Sequence, residues 1–182
     1  MRHGEAGPAG EGRVTDPGRF ADLHRIARER LDALERGYAV RRGQPSPADL
    51  ADRIGRAVQE AVRLDPAVPN AAPLVVSFTD FPGLVVQAGR WLVEAFPACG
   101  CDACAETLHG DQERFAELVE AVVAGRLREA LRIPWFGQAR CSWAVTTPAG
   151  ERAGGCVVPR ARARVMAGSG PRTFDWDPWP QR

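Results

Sequence analysis

The chain has 182 residues, 45% of them apolar and 26% charged, which suffices for one compact domain with a real core and argues against a second. Its 24 basic residues nearly balance 23 acidic ones, so no global field draws in nucleic acid or an anionic membrane; all 24 are arginine, the mark of a GC-rich genome. No run of about 18 apolar residues suggests a membrane span and no apolar stretch near Met1 suggests a secretory signal, so a cytoplasmic protein with reduced thiols is expected.

Residues 1–14 hold Gly, Glu and Arg without periodic apolar positions and read as a disordered extension, which leaves 15–182 as a single domain. Asp16-Pro17 then marks a helix start, and Phe20, Leu23, Ala27, Leu31, Leu34 and Tyr38 recur at helical spacing. His24 lies at the edge of that stripe and reads as a packing residue. After Gly43-Gln44-Pro45, a capping-box-like Ser46-Pro47-Ala48-Asp49 precedes Leu50, Ile54, Ala57, Val58, Ala61 and Val62, which predicts a second helix ended by Pro66 and Pro69.

The period then changes. Leu74–Phe78 reads as a strand, and Leu84–Gln87 with Arg90–Val93 across Ala88-Gly89 reads as a hairpin. Phe115, Leu118, Val119, Val122 and Val123 predict a third helix that ends near Gly125. Leu127–Ile133 fits a strand or a continued helix, with strand preferred. Cys141, Trp143 and Val145 alternate, Pro148-Ala149-Gly150 supplies a turn, and Arg152–Val158 returns as the partner strand. Cys141 and Cys156 then fall nearly opposite each other and are expected to be buried, small apolar side chains. Arg160, Arg162 and Arg164 lie in a short helical segment before Gly168. Trp176 and Trp179, set among prolines, suit an extended arm clamped onto the domain.

Charge is uneven along this order. Residues 126–182 hold 10 Arg against four acids, whereas 1–125 hold 14 Arg against 19 acids. A solvated, salt-bridged face is the default expectation for the basic third; the alternative is an anion or nucleic-acid surface through Arg160, Arg162 and Arg164.

The densest chemistry is Cys99-Gly100-Cys101-Asp102-Ala103-Cys104, three of five cysteines in one turn-sized run. Zinc takes four Cys or His ligands in a tetrahedral array. Cys99, Cys101 and Cys104 offer three, and His109 is the nearest fourth; Asp102 and Glu106 are weaker candidates. Pro97–Gly100 resembles half a zinc knuckle, in which backbone amides point at a thiolate. A second reading takes Cys101 and Cys104 as a Cys-x-x-Cys redox pair before a helix. The order of elements lacks the βαβ context of a thioredoxin-like domain. Reduced thiols in a tight turn with no chemistry are a third reading.

Phe81-Pro82-Gly83-Leu84, Gly89-Arg90-Trp91, Phe96–Cys104 and Trp176-Asp177-Pro178-Trp179-Pro180 resemble the signature blocks of a family of small actinobacterial proteins known as a domain of unknown function. The resemblance spans most of the chain after about residue 15 and implies a bacterial cytosolic protein with no assigned activity, cofactor or partner. In that pattern an acidic pair tends to follow the last cysteine, whereas here Ala105 precedes Glu106.

The expected fold is α+β: one antiparallel sheet of about five or six strands, two N-terminal helices packed on it, and a third helix after the cysteine turn. The expected function is that of a non-enzymatic interaction module for a protein partner, with structural zinc at Cys99–Cys104.

Overall fold

The computed structural model describes residues 12–46, 57–168 and 172–182, and the fold is α+β, with three helices and two antiparallel sheets. A single 3-10 turn, Pro17–Phe20, leads into helix α1 (Asp22–Gly37), which buries Leu23, Ala27, Leu31 and Leu34, the expected stripe. Strands β1 (Val40–Gly43), β2 (Val58–Pro66), β3 (Leu74–Thr79), β4 (Leu84–Ala88) and β5 (Leu92–Phe96) form the first sheet in chain order. Helix α2 (Leu108–Val123) crosses to the second, built from β6 (Leu127–Arg132), β7 (Ala139–Thr147), β8 (Gly150–Val158) and β9 (Thr173–Asp175), in the order β8-β7-β6-β9. Helix α3 (Arg160–Ala167) joins β8 to β9. Among the described residues, no helix is long and apolar enough to cross a membrane.

Three expectations are corrected. The strands divide between sheets of five and four rather than forming one. The expected second helix fails in its C-terminal half, where Val58, Ala61 and Val62 belong to β2; residues 47–56 lie outside the described residues. Ala57, Val58, Ala61 and Val62 match a helical face locally, but Val62 and Leu64 are the buried pair, at a period of two, because β2 is hydrogen-bonded on both sides. Tertiary pairing overrides the local pattern. Finally, Cys141 and Cys156 are not reduced: the β7–β8 register sets them directly opposite and they are joined by a disulfide. Spacing had brought them together; their bonding is a cross-strand event that composition cannot show.

A continuous core fills the space between α1, α2 and the two sheets, with Phe20, Phe78, Phe96 and Phe115 fully enclosed. The C-terminal arm closes it. Trp179 Nε1 donates to Ala72 O at 2.9 Å, Trp176 Nε1 to Glu129 Oε2 at 2.9 Å, and Gln181 bridges back to Tyr38. Gly125 is essential to this closure. It adopts φ +69, and a Cβ there would lie 2.5 Å from Pro178 N.

Glu129 is the hub. It lies on β6 with 3% exposure, and its carboxylate accepts from the backbone N–H of Arg90 (2.9 Å), Trp91 (2.6 Å) and Leu92 (3.0 Å) as well as from Trp176. One side chain thereby joins the β4–β5 turn of the first sheet to the second sheet and to the arm. Burial pushes its carboxyl up, and the four donors only partly offset that.

Candidate metal centre

Strand β5 delivers the chain through a cis Phe96-Pro97 bond into the cysteine turn, and a 3-10 turn over Asp102–Cys104 carries it towards α2. Thr107 caps α2, its hydroxyl accepting from Gly110 N–H at 3.1 Å. The turn is tight enough to need glycine at position 100. Gly100 has φ +77, and a Cβ there would meet the Phe81 ring at 2.8 Å.

Glu106 shapes this turn. Its two oxygens accept from the backbone N–H of Ala98 (2.8 Å), Cys99 (3.0 Å) and Gly100 (2.8 Å). Burial pushes the Glu106 carboxyl up, but the Gly100, Cys99 and Ala98 amides and nearby Arg114 outweigh it and hold the group below its ordinary range. Arg114 sits between three carboxylates, at 3.3 Å from Glu106, 3.3 Å from Glu94 and 2.9 Å from Asp111. The expected half-knuckle amides are present, then, but they serve a carboxylate rather than a thiolate. A residue weighed as a weak ligand is the scaffold of the site.

A second set of contacts fastens the turn to the segment before α1. Asp102 N–H donates to Arg13 O at 2.9 Å, and Asp102 Oδ1 accepts from Thr15 N–H at 3.2 Å and from Arg19 at 3.3 Å. Arg19 also donates to Gly100 O at 3.0 Å. The Gly12 and Arg13 backbone, expected to belong to the extension, takes part in the site, and residues 1–11 lie outside the described residues. No sequence signal marks these partners, because their contacts cross more than 80 positions.

The sulfurs of Cys99, Cys101 and Cys104 lie within 4.8 Å of one another, so the structure brings together three of the four expected ligands as a trio positioned to hold a metal ion. Cys101 is buried; Cys99 and Cys104 reach the surface. His109 does not join them. Its side chain is 80% exposed on the first turn of α2, with Nε2 3.3 Å from Glu113 Oε1. Among the described residues no other His, Cys or carboxylate belongs to the group, so Asp102 and Glu106 are neighbours rather than members.

The trio is electrostatically asymmetric. Hydrogen bonds with Cys99 and Cys104 and with the Gly12 backbone pull the Cys101 thiol down to about 6, while hydrogen bonds with Cys101 and Cys99, together with burial, push Cys104 up to about 12. The shift favours the thiolate form of Cys101, whose sulfur lies 3.3 Å from that of Cys104. A thiolate beside a thiol suits two kinds of chemistry, soft-metal ligation and thiol–disulfide exchange.

A family model described as "Family of unknown function (DUF6226)" matches residues 1–182. No curated protein and no solved structure matches the chain.

Proposed function

The chain belongs to that family of unknown function, and from its geometry we propose that the Cys99–Cys104 turn is a thiolate centre for a soft divalent cation, with zinc as the natural occupant. The convergence of three sulfurs within 4.8 Å supports this. Tetrahedral zinc, with Zn–S near 2.3 Å, sets its sulfurs about 3.8 Å apart, a spacing that needs little movement of the turn. Zinc suits a thiolate set and brings no redox chemistry of its own. Cys99, Cys101 and Cys104 would hold the ion, and the fourth position falls to water or to a donor beyond the described residues. The role is structural: the ion would lock the turn to the Arg13–Arg19 segment and to α2, forming a rigid surface for a protein partner.

Elemental analysis of the purified full chain tests this. About one metal per chain is expected, lost in Cys101→Ser, with a lower melting temperature after chelation. Metal-free protein whose melting ignores chelator and added zinc would refute it.

The 3.3 Å Sγ–Sγ approach of Cys101 and Cys104 favours one second reading. The Cys101 thiolate would attack a partner's disulfide and Cys104 would resolve the mixed disulfide, so that two electrons pass to the partner's sulfurs. Thiol titration of unfolded, unreduced protein separates the two. Three thiols are expected because Cys141 and Cys156 are bonded. A fall to one on mild oxidation of metal-free protein supports exchange; protection of all three by bound zinc supports the metal centre.

A further inference from the structure

The end of the second sheet where β6 passes to β7 carries an apolar tip within a basic collar. Arg132 and Arg140 pair in register at the last rung, and the loop between them projects Trp135 and Phe136, 84% and 83% exposed, with their rings edge to face at 6.4 Å. Strand β8 ends at the same level, since Val158 opposes Ala139, and α3 starts two residues later. The Arg160 guanidinium donates to Trp135 O, which ties α3 to the tip. Ala163 seats α3 on the smaller core cluster with Leu131, Cys141 and Val158, while Val165 is left 83% exposed. Arg172 belongs here too, because its carbonyl accepts from Leu131 N–H at 2.7 Å.

Arg132, Arg140, Arg160, Arg164 and Arg172 therefore belong to this end, with Arg162 on the adjoining cleft beside Trp91 and Gly155. Among the described residues none of them forms an ion pair, whereas Arg128 pairs with Asp175 and Arg152 with Glu94 elsewhere on the same sheet. The expected salt-bridged face is realised there and not at the tip. The cause is in the sequence, since residues 130–150 and 152–174 contain no Asp or Glu.

We propose that this end docks peripherally on an anionic phospholipid surface, with Trp135, Phe136 and Val165 entering the headgroup boundary and the arginines meeting lipid phosphates. Charge complementarity selects this occupant. A patch of unpaired guanidinium groups around exposed aromatics gains both from the negative surface potential and from burial of the rings, and it keeps the charges in a wet, phosphate-rich layer. A protein partner would have to desolvate these guanidiniums or supply matching carboxylates. Single-stranded nucleic acid needs rings laid out as a stacking platform along a groove; here the two planes meet at 75° on a projecting tip. Peripheral docking requires no spanning segment, and among the described residues no helix is long and apolar enough to be one.

Co-sedimentation of the full chain with vesicles tests the proposal. Retention is expected on phosphatidylglycerol–phosphatidylcholine vesicles, not on phosphatidylcholine alone, and it should weaken steeply as salt rises. Trp135→Ser with Phe136→Ser, and separately Arg140→Glu with Arg164→Glu, should each lower retention about tenfold or more. All four positions are exposed, so both double variants should melt like the wild type. Absence of retention at low salt, variants that bind as tightly as wild type, or equal binding to neutral vesicles would overturn it. So would loss of oligonucleotide binding in the same variants with vesicle binding untouched.

Discussion

Two carboxylates, Glu129 and Glu106, perform the same backbone task in different surroundings. Each gathers three consecutive N–H groups beside β5, Arg90 to Leu92 where the strand begins and Ala98 to Gly100 just past its end. Glu129 is sealed, and its fourth donor is the indole of Trp176. Glu106 is half-buried, and its fourth donor is Arg114, which two other carboxylates share. The sealed carboxylate joins sheet to sheet and leaves nothing nearby to react. The half-buried one holds a loop in which the Cys99 and Cys104 sulfurs reach the surface and Cys101 does not. A carboxylate clasp thus joins sheets where it is sealed and shapes the candidate cysteine site where it is half-buried.

The sharpest way to break this comparison is Glu129→Ala, which strands three backbone amides and an indole in the core. It should cost about 3–5 kcal/mol or prevent folding altogether, read by denaturant unfolding. A loss below about 1 kcal/mol would show that Glu129 is no hub. Glu106→Gln comes next. It should leave folding largely intact but weaken metal affinity about 10–100-fold, because the turn that presents the sulfurs loses its clasp. Competition with a chromophoric chelator measures that change. If folding and metal affinity fall together, the two clasps are not distinct in kind.

Asp111→Asn should have the smallest effect, and a sign that depends on pH. Asp111 is 1% exposed, and burial, reinforced by Glu106 and opposed by Arg114, pushes its carboxyl up to about 6. The protonated form is favoured by folding, so the stability this group contributes is present below its unfolded value near 4 and is lost as pH rises through about 6. The variant should therefore gain about 1 kcal/mol relative to wild type at pH 7.5 and nothing, or a slight loss, at pH 4. Parallel melting curves at the two pH values read this directly, and a pH-independent difference would contradict it.

Local physics made part of this legible. The stripe Phe20 to Leu34 can be read because a helix buries residues at its own period, and the Cys141–Cys156 level follows from a turn placed at Pro148-Ala149-Gly150. The cysteine trio is visible as spacing alone. What stayed hidden is non-local. Val58 to Val62 carries a helical pattern, yet two neighbouring strands recruit it. Glu129 sits in a stretch that suits either period, and its four donors come from positions 37 to 47 residues away. His109 is near the cysteines in sequence, but it lies on the first turn of α2 and pairs with Glu113. The helix begins too soon after the turn for closeness in sequence to become closeness in space.

The arm described above also bears on how fast the molecule forms. Its bonds unite Tyr38 with Gln181, Ala72 with Trp179 and Glu129 with Trp176, so closure couples segments drawn from nearly the whole described chain. Loop-closure entropy must be met before such contacts stabilise anything, which places the chain among slow, high-contact-order folders. The arm would dock late, after both sheets exist. Loosening it, as by Trp179→Ala, should then accelerate unfolding far more than it slows folding.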